Sequence, residues 1–264
     1  MDRVRNDPRQ TGTGGPTKDH RRLKVELLIV LGLSLGQSAV YAVVSLMDKL
    51  SRAPLADQTT SMNNSLSERP YFDLTYQLLD IVFALVPVAL VFFLFAHAGA
   101  NGFRRMGFDL RRPWADLGWG VALFVGIGLG TLAMYAVGRS LGVTTAIVPA
   151  ALEPYWWTVP VLALSAVRHG VVEEVIVVGY LFDRLRRLGW GVWPILLASA
   201  LLRGSYHLYQ GFGPFVGNVL MGLVFGWLYL RYKRVMPLVI AHALLDTAGF
   251  VGYSLLGPAI GLGT

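Results

Sequence analysis

The stretch Gly170-Val-Val-Glu173-Glu174-Val-Ile-Val-Val-Gly-Tyr180 sets two adjacent carboxylates inside an apolar run from about 159 to 182. Such a run is long enough to cross a bilayer, which takes roughly 20 apolar residues. A carboxylate near the bilayer centre costs about 2.5–3.5 kcal/mol on insertion scales. Two in succession therefore need a polar cavity, a proton or partners. Later apolar runs supply partners: His207, His242 and Asp246, with Arg203 one helical turn before His207.

Composition agrees with a membrane setting. Of the 264 residues 54% are hydrophobic and 15% charged, against about 25% charged in soluble domains, and the mean hydropathy is +0.53. The chain has no cysteine, which excludes disulfides, thiolate nucleophiles and cysteine-ligated metals. The net charge of +7 does not point to nucleic acid, because the basic residues lie in short loops between apolar runs.

Residues 1–24, with prolines, glycines and seven Lys/Arg, read as a disordered cytoplasmic tail. Seven apolar runs follow, at about 25–47, 75–97, 114–137, 155–182, 190–208, 213–230 and 235–256. The first is too long for a cleaved signal and is read as a retained helix. Alternate connections hold seventeen Lys/Arg on one side and four on the other, which places the N-terminus inside and the C-terminus outside. The expected fold is an all-α transmembrane bundle of seven spans. Residues 25–154 would be accessory helices and loops, 155–256 the chemical core and 257–264 a short tail. The 48–74 stretch reads as a flexible external loop. Gly126, Gly128 and Gly130 are candidates for close helix packing.

On a helix the side chains of Glu173 and Glu174 diverge by roughly 100°. One can face a reacting centre while the other braces it. Arg203 and His207 are spaced i, i+4, as are His242 and Asp246, so each pair shares a helix face. A carboxylate and an imidazole converging on one water can deprotonate it. A second imidazole with another polar group can stabilise a carbonyl oxyanion. Alternatively Glu173, His207 and His242 could hold a zinc ion with an open position. Arg168 and His169 read as local counter-ions to the glutamates, and Asn218 as an interhelical donor. A proton-coupled transporter would also use intramembrane Glu, His and Asp, but no inverted repeat is evident. A non-catalytic membrane scaffold is the other alternative.

These residues resemble the CPBP (Abi) intramembrane proteases, which include the type II CAAX-prenyl endopeptidases. That family carries EExxxR, FxxxH and HxxxN/D on consecutive helices. Glu173-Glu174, His207, and His242 with Asp246 match these motifs, and the resemblance covers about 155–256. Two positions depart from it: Val178 stands where an arginine is expected, and Arg203 where a phenylalanine is expected. Arg203 is read as supplying to Glu174 the guanidinium that position 178 lacks. The resemblance implies a multi-pass endopeptidase of the plasma or inner membrane, cutting a membrane-anchored protein or peptide near the cytoplasmic face. In it Glu173 activates water, His207 orients it, Glu174 braces Glu173, and His242 with Asp246 forms or supports the oxyanion site. A metal and a metal-independent mechanism both remain compatible with the motifs.

Overall fold

A computed structural model describes residues 16–256, most of them helical. Helices α1 (Pro16–Gly32) and α2 (Leu35–Arg52) meet at a 55° bend. Ser34 closes that bend by donating from Oγ to the Val30 carbonyl at 2.6 Å. Helix α1 begins inside the stretch read as a tail; residues 1–15 and 257–264 lie outside the described residues. Helices α3 (Pro70–Ala84) and α4 (Val86–His97) form one 28-residue span interrupted at Leu85. Pro87 explains the interruption, since its ring clashes with the carbonyl four residues back and it has no N–H to give.

The short α5 (Gly102–Met106) leads into α6 (Pro113–Ser140), which starts on a proline suited to a first helical turn. Val125, Leu129 and Leu132 of α6 are half or more exposed, as expected of side chains that meet lipid. Helix α7 (Thr158–Glu173) continues through a π-helical segment, Glu174–Tyr180, into α8 (Leu181–Arg187). Then come α9 (Val192–Ser205), α10 (Phe212–Tyr232) and α11 (Met236–Leu256).

Among the described residues four helices are long and apolar enough to cross a membrane, or five with the bent α1–α2 pair counted as one span. All seven apolar runs fold as helix, yet two of them fall outside that group. Helix α9 has only 14 residues, about 21 Å at 1.5 Å per residue. The α7–α8 helix instead carries Arg168, His169, Glu173, Glu174 and Asp183.

One correction concerns the 48–74 loop, which is built rather than flexible. Its strand β1 (Thr59–Ser61) pairs in parallel with β2 (Ala146–Val148). Lys49 donates to Thr60 Oγ1 and, at 2.9 Å, to the Tyr209 carbonyl. The Thr145 N–H donates to the Gln210 carbonyl at 3.1 Å, so this small sheet is tied to the α9–α10 turn. We call this the sheet end of the bundle.

At the opposite, basic end Arg184 pairs with Glu26 at 2.6 Å, Arg105 with Asp183 at 2.5 Å and Arg234 with Asp116 at 2.6 Å. The main apolar core lies toward the basic end and includes Val175, Val178, Phe182, Phe225 and Leu238. A smaller cluster of Ala150, Leu162, Ala166 and Phe250 lies toward the sheet end.

Candidate active site

Close backbone approach creates the site. A methyl group on Gly170 of α7 would lie 2.9 Å from the Val239 carbonyl oxygen and 3.5 Å from His242 Cβ of α11. Only hydrogen fits there, and its absence of bulk sets His242 beside Glu174. Gly222 of α10 does the same for α9: an added Cβ would meet Ala200 Cα at 2.9 Å and Arg203 Cδ at 3.3 Å. Of the three glycines expected to pack in α6, Gly128 faces Leu245 of α11, while Gly126 and Gly130 have open space around them. The tight α6–α11 crossing is at Gly120, against Ile240.

The π-helical segment starts at Glu174, directly after Glu173. Widened turns of this kind leave backbone groups without their usual helical partners; Ser199 of α9 donates to the Val177 carbonyl at 3.0 Å and satisfies one of them. Arg203, fully buried, bridges both carboxylates: Nη2 lies 2.6 Å from Glu174 Oε1 and Nη1 3.3 Å from Glu173 Oε2. Two carboxylates on adjacent residues thus share one planar fork, a geometry that guanidinium suits and an ammonium does not. Val178, where the family arginine is expected, is instead buried in the apolar core.

His242 Nδ1 lies 2.7 Å from Glu174 Oε1. Since Glu174 faces a guanidinium and accepts as a carboxylate, the Nδ1–H is the donor. The other ring nitrogen, Nε2, lies 3.8 Å from Glu173 Oε2 and 3.7 Å from Asp246 Oδ2. Tyr206, which sequence reasoning missed, donates its hydroxyl to Glu173 Oε2 at 2.6 Å. Its only signal was its place beside His207. Both ring nitrogens of His207 are buried and lack a hydrogen-bond partner among the described residues. Buried polar atoms of this kind are characteristically satisfied by water.

The flanking residues are arranged differently from expectation. Neither Arg168 nor His169 forms an ion pair with the glutamates among the described residues. Arg168 precedes Glu173 by five positions, about 140° around the helix; it pairs with Asp80 at 3.4 Å and donates to Ser165 at 3.2 Å. His169 lies 3.3 Å from Asp246. Asp80 is therefore drawn into the polar flank of the site. Asn218 donates to the Pro214 carbonyl of its own helix at 3.0 Å, not across helices.

Glu173, Glu174 and His242 offer three ligand atoms within 4.8 Å of one another. His207, proposed from the sequence as the third ligand, is not in that group. Part of this donor set is already engaged, while Glu174 Oε2 and both His207 ring nitrogens have no hydrogen-bond partner among the described residues. Glu174 Oε1 already accepts from Arg203 and His242, and Glu173 Oε2 from Tyr206 and Arg203. At those two oxygens a cation would compete with a guanidinium and two proton donors, so it would have to be held through the free carboxylate oxygens.

The cluster brings a buried carboxylate together with one imidazole hydrogen-bonded to its neighbour and a second whose ring nitrogens are unpartnered among the described residues. That set of groups suits general-base hydrolysis. No curated protein and no solved structure matches the chain. Residues 155–248 do match the family model described as type II CAAX prenyl endopeptidase Rce1-like, so the family resemblance carried by the motifs holds over the stretch that contains every one of them.

Proposed function

We propose that the protein is an intramembrane endopeptidase that hydrolyses a peptide bond of a membrane-associated protein or peptide through a metal-independent glutamate mechanism. The observation that carries this reading is Glu173. It is nearly buried, fixed on one oxygen by Tyr206 and Arg203, and its Oε1 has no hydrogen-bond partner among the described residues. Oε1 takes a proton from water, and the water oxygen attacks the carbonyl carbon. The proton then passes to the leaving nitrogen as the C–N bond breaks.

His207 orients the attacking water. Glu174 fixes the tautomer and ring plane of His242, whose Nε2 donates to the oxyanion when protonated. Asp246 is an acceptor and does not bind an oxyanion itself; it positions His242. Arg203 offsets the charge of the two glutamates, the role that position 178 has lost. The seven apolar runs and the seventeen-to-four loop asymmetry support seven crossings of the cell membrane, with the N-terminus inside. In purified protein, Glu173→Gln should abolish cleavage of membrane-anchored peptides while the protein stays monodisperse. A variant that cuts at the wild-type rate would remove Glu173 from the mechanism.

A further inference from the structure

We infer that the groove between α1 and α4 is a binding site for an anionic phospholipid. One acyl chain lies along the groove, and Arg21 and Arg22 hold the headgroup phosphate. The groove is separate from the glutamate cluster, and its ligand does not depend on the protease reading above.

Shape is the first of two observations that carry it. The groove has a volume of about 530 Å³, within the roughly 300–1,000 Å³ of small-molecule sites. Val25, Ile29 and Val30 of α1 and Leu90 and Leu94 of α4 line it. Val30 is wholly buried, whereas Val25 and Ile29 are half exposed, so the groove has a closed floor and an open side. From Arg21 to Val30 the helix rises about 14 Å at 1.5 Å per residue. That is close to one leaflet of a hydrocarbon core roughly 30 Å thick, a length that one extended acyl chain fills.

Charge is the second. Arg21 and Arg22 line the groove at one end, ahead of its apolar residues. Glu26 is the one acid in the lining among the described residues, and it is already committed. Its Oε1 accepts from Arg184 Nε at 2.6 Å and from the Tyr180 hydroxyl at 3.0 Å. The groove therefore offers a positive head and an apolar body. Arginine matches phosphate with paired N–H donors, and basic pockets between membrane helices characteristically take anionic headgroups. A zwitterionic lipid would bring its own cation to the two arginines. A free phosphate would leave the apolar length unfilled.

The test uses the full chain, delipidated in a neutral detergent, and reads melting temperature and lipid adducts by native mass spectrometry. The probes are phosphatidylglycerol, phosphatidylcholine with the same acyl chains, and glycerophosphoglycerol, the headgroup without chains. One phosphatidylglycerol should bind and raise the melting temperature as its concentration rises. Phosphatidylcholine should bind more weakly and the bare headgroup not at all. Arg21→Gln with Arg22→Gln should weaken phosphatidylglycerol binding by about thirtyfold, the effect of losing two charge contacts to an anionic lipid. Ile29→Trp, which fills the groove, should weaken it with both arginines in place. Arg104→Gln with Arg231→Gln changes exposed arginines on α5 and α10 and should leave binding as in wild type. Equal binding of the two lipids would overturn the inference, as would bare headgroup binding as tightly as the lipid. So would wild-type binding in the Arg21 and Arg22 double variant or in Ile29→Trp, or an equal loss in the Arg104 and Arg231 pair.

Discussion

Arg203 is the residue on which the site's charge balance depends. It is wholly buried against two carboxylates, one of them wholly buried too. Removing one partner of a buried ion pair typically costs about 3–5 kcal/mol, because the remaining charge is left uncompensated. Arg203→Ala should therefore lower thermal stability sharply and abolish cleavage. Arg203→Lys should recover part of the stability but less of the activity, since an ammonium cannot bridge two carboxylates as a fork does. Equal behaviour of the lysine and wild-type proteins in a melting assay and in cleavage would contradict this. Tyr206→Phe should retain the fold and lose roughly tenfold in kcat, the equivalent of one hydrogen bond to a charged group. An unchanged kcat would remove Tyr206 from the positioning of Glu173.

Glu173, Glu174, His242 and Arg203 were legible as a group because each is costly in an apolar run unless partnered, and they partner one another; His207 stands apart, with both ring nitrogens unpartnered among the described residues. Tyr206 was not legible, because a tyrosine in a membrane helix is ordinary unless its hydroxyl's partner is known. The partners of Arg168 and His169 were equally hidden. They depend on which neighbouring helix packs at that depth, and local spacing is silent on that.

At the scale of elements, the crossings at Gly170 and Gly222 set the site's dimensions. Gly170→Leu would force α7 away from the α11 backbone and carry Glu174 away from His242. Overpacking of this kind costs about 1–3 kcal/mol or more. We expect a lower melting temperature and a loss of cleavage, with Gly249→Leu, at a position with nothing within 4 Å, as the benign comparison. Similar melting for both variants would contradict the crossing's role. The helices themselves were readable from hydropathy. The β1–β2 pairing was not, since three-residue strands carry no periodic signal and this pair is held by distant contacts to Lys49 and the α9–α10 turn. The interruption at Pro87 was written in the sequence, but hydropathy averages over it.

At the scale of the molecule, the basic end is locked by Arg234, which joins Asp109 at 2.9 Å and Asp116 at 2.6 Å. Burial alone would raise the Asp109 carboxyl, but hydrogen bonds from Arg234 and the Arg111 N–H, with the Arg234 charge, outweigh it and lower it. A lowered carboxylate contributes stability that is fully present above its ordinary range and is lost as pH falls through its folded value. Wild-type protein should thus lose thermal stability on acidification below the carboxylate range by more than Asp109→Asn does. Parallel pH profiles for the two would contradict that linkage. Loop charges carry an expectation for the side of the membrane on which each end lies.

The most direct measurement compares wild type and Glu173→Gln for cleavage of membrane-anchored peptides in detergent, each with and without a chelator. The account predicts cleavage by wild type that survives the chelator and vanishes in the variant, with both proteins equally folded. Cleavage that the chelator abolishes and added zinc restores would contradict the glutamate mechanism, as would full activity in Glu173→Gln.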